Sequence, residues 1–162
     1  MDERDLLREA EDLGLTLREA PLTPQLMRKL IRLSADWEAE ASCWGYRKNG
    51  AADIRGNRIF VLEKKNRLLG YLFGHAEQAK NSSSVMPDGT PFFEVEELYV
   101  KSAYRSRGYG ALLFRYAEEQ VRDEADFILL STATKNWQAI LHFYLEELDL
   151  RFWSARLFKK LK

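Results

Sequence analysis

The run from Val95 to Ala111 constrains this chain more than any other. A strand-like stretch, Val95-Glu96-Glu97-Leu98-Tyr99-Val100, passes through Lys101-Ser102-Ala103-Tyr104 into Arg105-Ser106-Arg107-Gly108-Tyr109-Gly110 and then into a helical pattern. Glycines at a helix start remove side chains where a ligand must approach the backbone. First-turn N–H groups lack helical partners, and the helix dipole adds partial positive charge. Such a turn suits an anion, a pyrophosphate in particular. Arg105 and Arg107 add forked, charged donors. Two familiar phosphate loops are excluded. Nothing matches G-x-x-x-x-G-K-[ST], and the G-x-G-x-x-G pattern fails because Leu113 stands where its third glycine belongs.

The rest of the chain reads as an α/β domain spanning 1–162. A first strand is expected near Leu15–Glu19. Thr23-Pro24 reads as N-cap and first helical residue, with Leu26, Leu30, Ile31 and Leu33 following at helical spacing, and a second helix is expected over Ala35–Tyr46. Strands are expected at Arg58–Lys64, Leu68–Glu77 and Phe92–Val100, then a helix over Gly108–Arg122. Phe127–Leu130 is fully apolar, as in a strand covered on both faces. Trp137, Ile140, Leu141, Tyr144, Leu145 and Leu148 recur at helical intervals. Arg151–Lys160 reads as a last strand. The order β-α-α-β-β-β-α-β-α-β gives a mixed sheet with helices on its faces. Ala79–Pro91, with Asn81-Ser82-Ser83-Ser84 and Pro87-Asp88-Gly89-Thr90-Pro91, reads as a long internal loop.

Charge narrows the partners. Lys+Arg and Asp+Glu are both 25, so the formal net charge is zero. Nucleic-acid binding by counterion release needs surplus positive charge, so none is expected. The ends differ in sign. Residues 1–20 hold seven acids and three bases, whereas 151–162 hold Arg151, Arg156, Lys159, Lys160 and Lys162 and no acid. One cysteine, Cys43, builds neither a disulfide framework nor a cysteine zinc site, and no metal is expected. The opening Met1-Asp2-Glu3-Arg4-Asp5 has no apolar leader and no run approaches a bilayer span, so the expectation is a cytoplasmic protein without a membrane partner.

Arg105-Ser106-Arg107-Gly108-Tyr109-Gly110 resembles the R/Q-x-x-G-x-G/A motif of the GCN5-related N-acetyltransferase (GNAT) superfamily. Glu97-Leu98-Tyr99-Val100 precedes it like that family's fourth strand. Asn136, Ala139 and Phe143-Tyr144 follow like its N-x-x-A-x-x-x-(F/L)-Y helix. The motif match covers about Phe92 to Leu148. The resemblance implies a central mixed sheet of about 6–7 strands flanked by helices and splayed between strands 4 and 5. One departure stands out. Leu148-Asp149-Leu150 replaces the usual Leu-Gly-Phe, removing a glycine turn before the last strand.

The resemblance also implies acetyl-CoA as co-substrate and direct acetyl transfer to a primary amine. Its pyrophosphate would rest on Arg105, Ser106, Arg107, Gly108, Tyr109, Gly110 and Ala111. Its pantetheine arm would follow Leu98, Tyr99 and Val100, with the Leu98 N–H polarising the thioester carbonyl and Asn136 opposite. Tyr144 would protonate the departing thiolate, although its place on an apolar stripe also fits a core tyrosine. Glu97, then Glu94, match positions of a general base. Strict alternation separates 94 and 96 from 97, and a bulge would break that parity. On bare pattern all three glutamates also fit a solvated face.

Other residues carry less. His75 and His142 suggest no pair, and Cys43 has no nucleophile context. Trp37, Trp44 and Tyr46 follow the first helix, where the family forms part of its acceptor pocket, and fit either packing or a cage for a cationic amine. The reading is an acetyl-CoA-dependent N-acetyltransferase acting on a small-molecule amine, with homodimerisation compatible with the family. A non-catalytic acyl-CoA-binding module and a protein N-acetyltransferase are the alternatives.

Overall fold

The computed structural model describes residues 1–81 and 84–162. Five strands form one sheet in the order β1-β2-β3-β4-β5. They are β1 (Thr16–Glu19), β2 (Arg58–Lys64), β3 (Arg67–Gln78), β4 (Pro91–Val100) and β5 (Phe127–Leu130). The first four are antiparallel neighbours; β4 and β5 run parallel. Helices α1 (Glu3–Asp12) and α4 (Tyr109–Val121) cover one face, and α2 (Pro24–Glu40) covers the other. Strand β2 shows why this is a three-layer core. Phe60 and Leu62 pack with the α1/α4 side, while Ile59 and Val61 pack with α2. Alternate residues of a strand face opposite ways, so a sheet covered twice must be apolar twice.

Local signals behave as their chemistry demands. Thr23 Oγ1 accepts from the Leu26 N–H at 3.1 Å, and Pro24 opens α2. The helix then runs unbroken to Glu40, and Ala41, at φ 50°, ends it. The expected second helix over Ala35–Tyr46 is therefore the continuation of α2, with a separate short α3 (Ala51–Ile54) further on. The N-terminal α1 was not anticipated; Asp2 caps it by accepting from Asp5 N at 3.0 Å.

Pairing of β4 with β5 covers only Phe92–Val95 against Phe127–Leu130. Beyond Val95 the strands part, which is the expected splay. The loop before β4 is closed by Ala79 N to Thr90 O at 2.8 Å and buries Met86; its Ser82 and Ser83 lie outside the described residues.

The expected strand over Arg151–Lys160 is absent. That segment has no regular structure and stays exposed, so the sheet has five strands among the described residues rather than six or seven. The lost Leu-Gly-Phe glycine is replaced in conformation. Asp149 takes φ 57°, a left-handed geometry that Asp tolerates better than most residues, and Leu150 N bonds Tyr144 O at 2.9 Å to finish the helix.

Candidate active site

A bulge in β4 sets the site. Phe73 pairs with Glu97 and Gly74 with Val95, which leaves Glu96 without an opposite residue. Directly paired residues share a face, so the bulge puts Glu97, Glu94 and Tyr99 on the α2 side and Val95 and Leu98 on the α4 side. The parity break anticipated from the sequence is present. Gly74 makes it feasible, since a Cβ there would collide with the Glu94 carbonyl.

Glu97 is the most elaborately held side chain. Its Oε2 accepts from Tyr71 Oη at 2.7 Å, Asn49 Nδ2 at 2.9 Å and Tyr46 Oη at 3.2 Å. Ser34 Oγ lies 3.0 Å from Tyr46 Oη and accepts from the Asn49 N–H; Ser34 is fully buried on α2. Oε1 has no hydrogen-bond donor among the described residues. Glu97 lines a cleft of about 450 Å³ with Asn49, Asp53, Arg55, Asn57, Phe73, His75 and Glu96. Burial raises its pKa above the usual carboxylate range, and the three donors pull it partway back. A carboxylate that lines a cleft with one oxygen fixed and the other without a donor has the form of a general base. Glu94 is also raised, by burial first and then by the Glu96 charge, but it does not line the cleft.

On the far edge of β4 the main chain is free. Lys101 N donates to Leu69 O at 2.8 Å, so alternation aims the Tyr99 amide at β3 and those of Leu98 and Val100 at the opposite edge. Among the described residues no strand pairs with that edge beyond Val95. The Tyr99 side chain also turns away: its hydroxyl donates to Glu40 at 2.6 Å and its ring stacks on Trp37. Tyr99 thus has neither group at the open edge.

The loop after β4 has left-handed backbone at Ser106 (φ 59°) and Gly108 (φ 78°), the kind that forms anion-binding concavities. Among the described residues no acceptor takes the N–H of Ser106, Arg107, Gly108, Tyr109 or Gly110. A Cβ on Gly108 would meet nothing within 4 Å, so the concavity is open there. Gly110 differs, since a Cβ would lie 3.4 Å from Phe143 and 3.8 Å from Val100. Its missing side chain admits the C-terminal helix. Tyr109 and Ala111 are buried in the α4 core. Arg105 folds back, giving Nε to Val100 O at 2.8 Å and Nη2 to Glu40 at 2.9 Å. Arg107 has no ion pair among the described residues and lies over Tyr104.

Helix α5 (Trp137–Leu141) continues as a π-helical turn, His142–Glu147, which carries Tyr144. Wide π turns recur at functional sites. Phe143 meets Gly110, and Tyr144 packs beside Phe114 in the core that also holds Leu98. The Tyr144 hydroxyl has no hydrogen-bond partner among the described residues, and burial pushes its pKa up to about 12. It keeps its proton at neutral pH. Asn136 stands exposed at the start of α5.

Other candidates resolve differently. Trp37 is sandwiched between Tyr46 and Tyr99, at 4.2 and 5.3 Å. That is packing in support of Glu97 rather than a cage. Trp44 lies elsewhere, between Lys135 and Phe158. Cys43 bridges to Thr134, tying the segment after α2 to the one after β5. His75 lines the cleft, with Glu77 at 3.1 Å and Asn57 at 3.2 Å, while His142 sits by Glu146. Sequence reasoning missed Asn49, Tyr71 and Ser34. The available signal was a tyrosine within an apolar strand, which needs a partner for its hydroxyl.

The acetyltransferase (GNAT) family model matches residues 24–149, and the chain belongs to this family. An uncharacterised N-acetyltransferase from the pepI 3′ region of Lactobacillus delbrueckii subsp. lactis is 28% identical over 97 residues, 60% of this chain. The match spans 54% of that relative's length. Solved structures share the fold. The aminoglycoside acetyltransferase meta-AAC0020 from an uncultured soil metagenomic sample, in complex with trehalose, superposes with TM-score 0.67 and 13% identity, over 93% of this chain and 99% of that one. The ribosomal-protein-alanine N-acetyltransferase of Brucella melitensis biovar Abortus 2308 gives TM-score 0.64 and 13% identity, over 91% and 99%. Members of the family generally use acetyl-CoA. Among the described residues, no group of three or more His, Cys, Asp or Glu is placed to hold a metal, and no helix is long and apolar enough to cross a membrane.

Proposed function

We propose that the chain transfers an acetyl group from acetyl-CoA to a primary amine of a compact cationic small molecule. The observation that carries this is Glu97. One carboxylate oxygen is fixed by three donors, the other has none among the described residues, and the residue lines the cleft one position from the Leu98 amide. The amides of Ser106–Gly110 fit a pyrophosphate, and the open edge at Leu98 and Val100 fits an amide-bearing arm. Acetyl-CoA, held there, supplies an activated acetyl thioester.

The remaining work belongs to the side chains. Glu97 Oε1 takes the proton that an arriving ammonium must lose. Its raised pKa brings it closer to the amine and makes it a stronger base than an exposed carboxylate. The Leu98 N–H faces the edge where a carbonyl oxygen gains charge. Tyr144 holds a proton for the departing sulfur. Cleft size, and the carboxylates of Asp53, Glu96 and Glu97, favour a small cationic acceptor, in keeping with the aminoglycoside acetyltransferase neighbour. The likeness to a ribosomal-protein-alanine N-acetyltransferase keeps a protein acceptor as the second reading.

The test is thiol release from acetyl-CoA against a panel of aminoglycosides, polyamines, amino acids and peptide N-termini. Turnover of a small cationic amine is expected. Turnover of peptides alone would replace the acceptor class. Acetyl-CoA binding with no turnover by any amine would leave a non-catalytic binding module.

A further inference from the structure

The cleft beside Glu97 is not uniformly acidic. Asp53, Glu96 and Glu97 line it, but so do Arg55 and His75. The two basic side chains differ in what they can still bind. Both ring nitrogens of His75 are taken: Nε2 lies 3.1 Å from Glu77, and Nδ1 lies 3.2 Å from Asn57 Oδ1. That amide is itself oriented, because Asn57 Nδ2 donates to Asp53 O and Ile54 O at 3.0 Å each. The Arg55 guanidinium has no hydrogen bond or ion pair among the described residues.

The backbone adds a second donor at the same place. Arg55 (φ −58°, ψ 145°) and Gly56 (φ 83°) are the central pair of a type II turn, closed by Asn57 N to Ile54 O at 3.3 Å. Gly56 also lines the cleft, and a Cβ there would meet nothing within 4 Å. Among the described residues its N–H has no acceptor. A guanidinium and a neighbouring N–H, both without partners and in open space, form a corner suited to a carboxylate. The acidic side is only partly used. Glu97 Oε1 has no donor among the described residues, and Asp53 accepts through Oδ2 alone, from Gly50 N at 2.7 Å. Glu96 is already shared with His75 at 3.6 Å. The groups left to a ligand are thus two carboxylates and one guanidinium.

We propose that the acceptor is a diamino acid, with two ammonium groups and one carboxylate. Its carboxylate meets Arg55 and the Gly56 N–H, one ammonium meets Glu97 and the other meets Asp53. Such an acceptor falls within the small cationic class of the acetyltransferase reading, on which it rests. A polyamine would set only cations against Arg55. The nitrogen at Glu97 forms the new N–C bond as the thioester C–S bond breaks. Of the two protons that this ammonium loses, one goes to Glu97 and the other replaces the proton that Tyr144 gives the departing sulfur. The products are the amide, the free thiol and one proton.

The experiment is thiol release from acetyl-CoA with ornithine and lysine against putrescine and cadaverine, which lack only the carboxylate. Aminoglycosides and peptides run alongside. The unmodified chain is compared with Arg55→Gln and Arg55→Glu. Arg55 is exposed and has no side-chain partner among the described residues, so both variants keep their fold. The unmodified chain should prefer the diamino acids at least tenfold in kcat/KM, because donors built for a carboxylate stay unsatisfied by an analogue without one. Arg55→Gln should bring the two sets near parity. Arg55→Glu should reverse the order, since a carboxylate there repels one set and attracts the other. Equal turnover of both sets by the unmodified chain, or a preference that survives in both variants, would overturn the diamino acid and leave an amine acetyltransferase. Turnover confined to aminoglycosides or peptides would do the same. Acetyl-CoA binding with no turnover of any amine would remove the enzyme reading and the acceptor together.

Discussion

The Ser106–Gly110 loop and the Glu97 cleft both depend on β4, yet they draw on the chain in opposite ways. The loop is five consecutive residues whose useful groups are main-chain amides, and an unfilled left-handed Gly108 keeps it open. The cleft is made of side chains. Its carboxylate is held by Tyr71, Asn49 and Tyr46, which lie 26, 48 and 51 residues away in sequence. A backbone site presents amides that every residue but proline supplies. A side-chain site depends on single atoms and on their protonation. The first should respond to blockage and charge, the second to pH.

The largest effect is expected at the carboxylate. Glu97→Gln should lower turnover by about 10³-fold, within the range for general acid–base catalysis, and leave acetyl-CoA affinity within a few-fold. A pH–rate profile should lose the acid limb. Stability should move the other way. The folded protein holds the Glu97 proton more tightly than the unfolded chain does, so stability falls as pH climbs through the raised pKa. The amide variant lacks that fall, and its melting temperature should vary less with pH there. A profile parallel to wild type would move the base to Glu94 or to solvent.

Next comes Tyr144→Phe, expected to cost about 10²-fold in turnover. Its hydroxyl has no partner to lose, so thermal unfolding should barely change. Unchanged turnover at saturating acceptor would leave Tyr144 a packing residue.

Gly108→Asp tests the backbone half. A charge projecting into open space at the amide concavity should weaken acetyl-CoA at least tenfold, about 1.4 kcal/mol. Gly108→Ala adds only left-handed strain and should bind nearly as wild type, which separates charge from conformation. Calorimetry reads both. Equal affinities in both variants would take the pyrophosphate off this loop.

The smallest effect sharpens the contrast. Tyr71→Phe removes one donor to Glu97 and should lower turnover only about 3–10-fold, near the worth of one hydrogen bond. That donor holds the carboxylate pKa down, so the acid limb should shift to higher pH. A merely structural tyrosine would leave the limb in place.

The candidate site was unevenly legible before folding. Glycines, arginines and the strand-to-helix change stand within one short stretch, and the unpartnered amides follow from helix geometry alone. The sequence ranked Glu97 ahead of Glu94 without fixing either as the base. The bulge opposite Gly74 puts both on the α2 side, and what separates them is tertiary: Glu97 alone lines the cleft and meets the Tyr71, Asn49 and Tyr46 donors. Nothing local marks Ser34 or Asn49, since a serine on a helix and an asparagine in a loop are ordinary until the chain brings them together. Arg105 shows the reverse. Its motif position suggested a phosphate donor, and the fold directs its donors to Glu40 and Val100 instead.

Periodicity and capping decided by themselves the five strands and the helices α2, α4 and α5, though not α1 or α3, because alternation and helical spacing are properties of neighbours. Tertiary structure alone decided how those segments end and what they face. The length of α2, the left-handed Asp149 in place of a glycine and the failure of Arg151–Lys160 to pair are set by partners distant in sequence. A strand exists only when another strand bonds it. A run of suitable residues therefore states a capacity for strand, and that of this tail stays unused among the described residues.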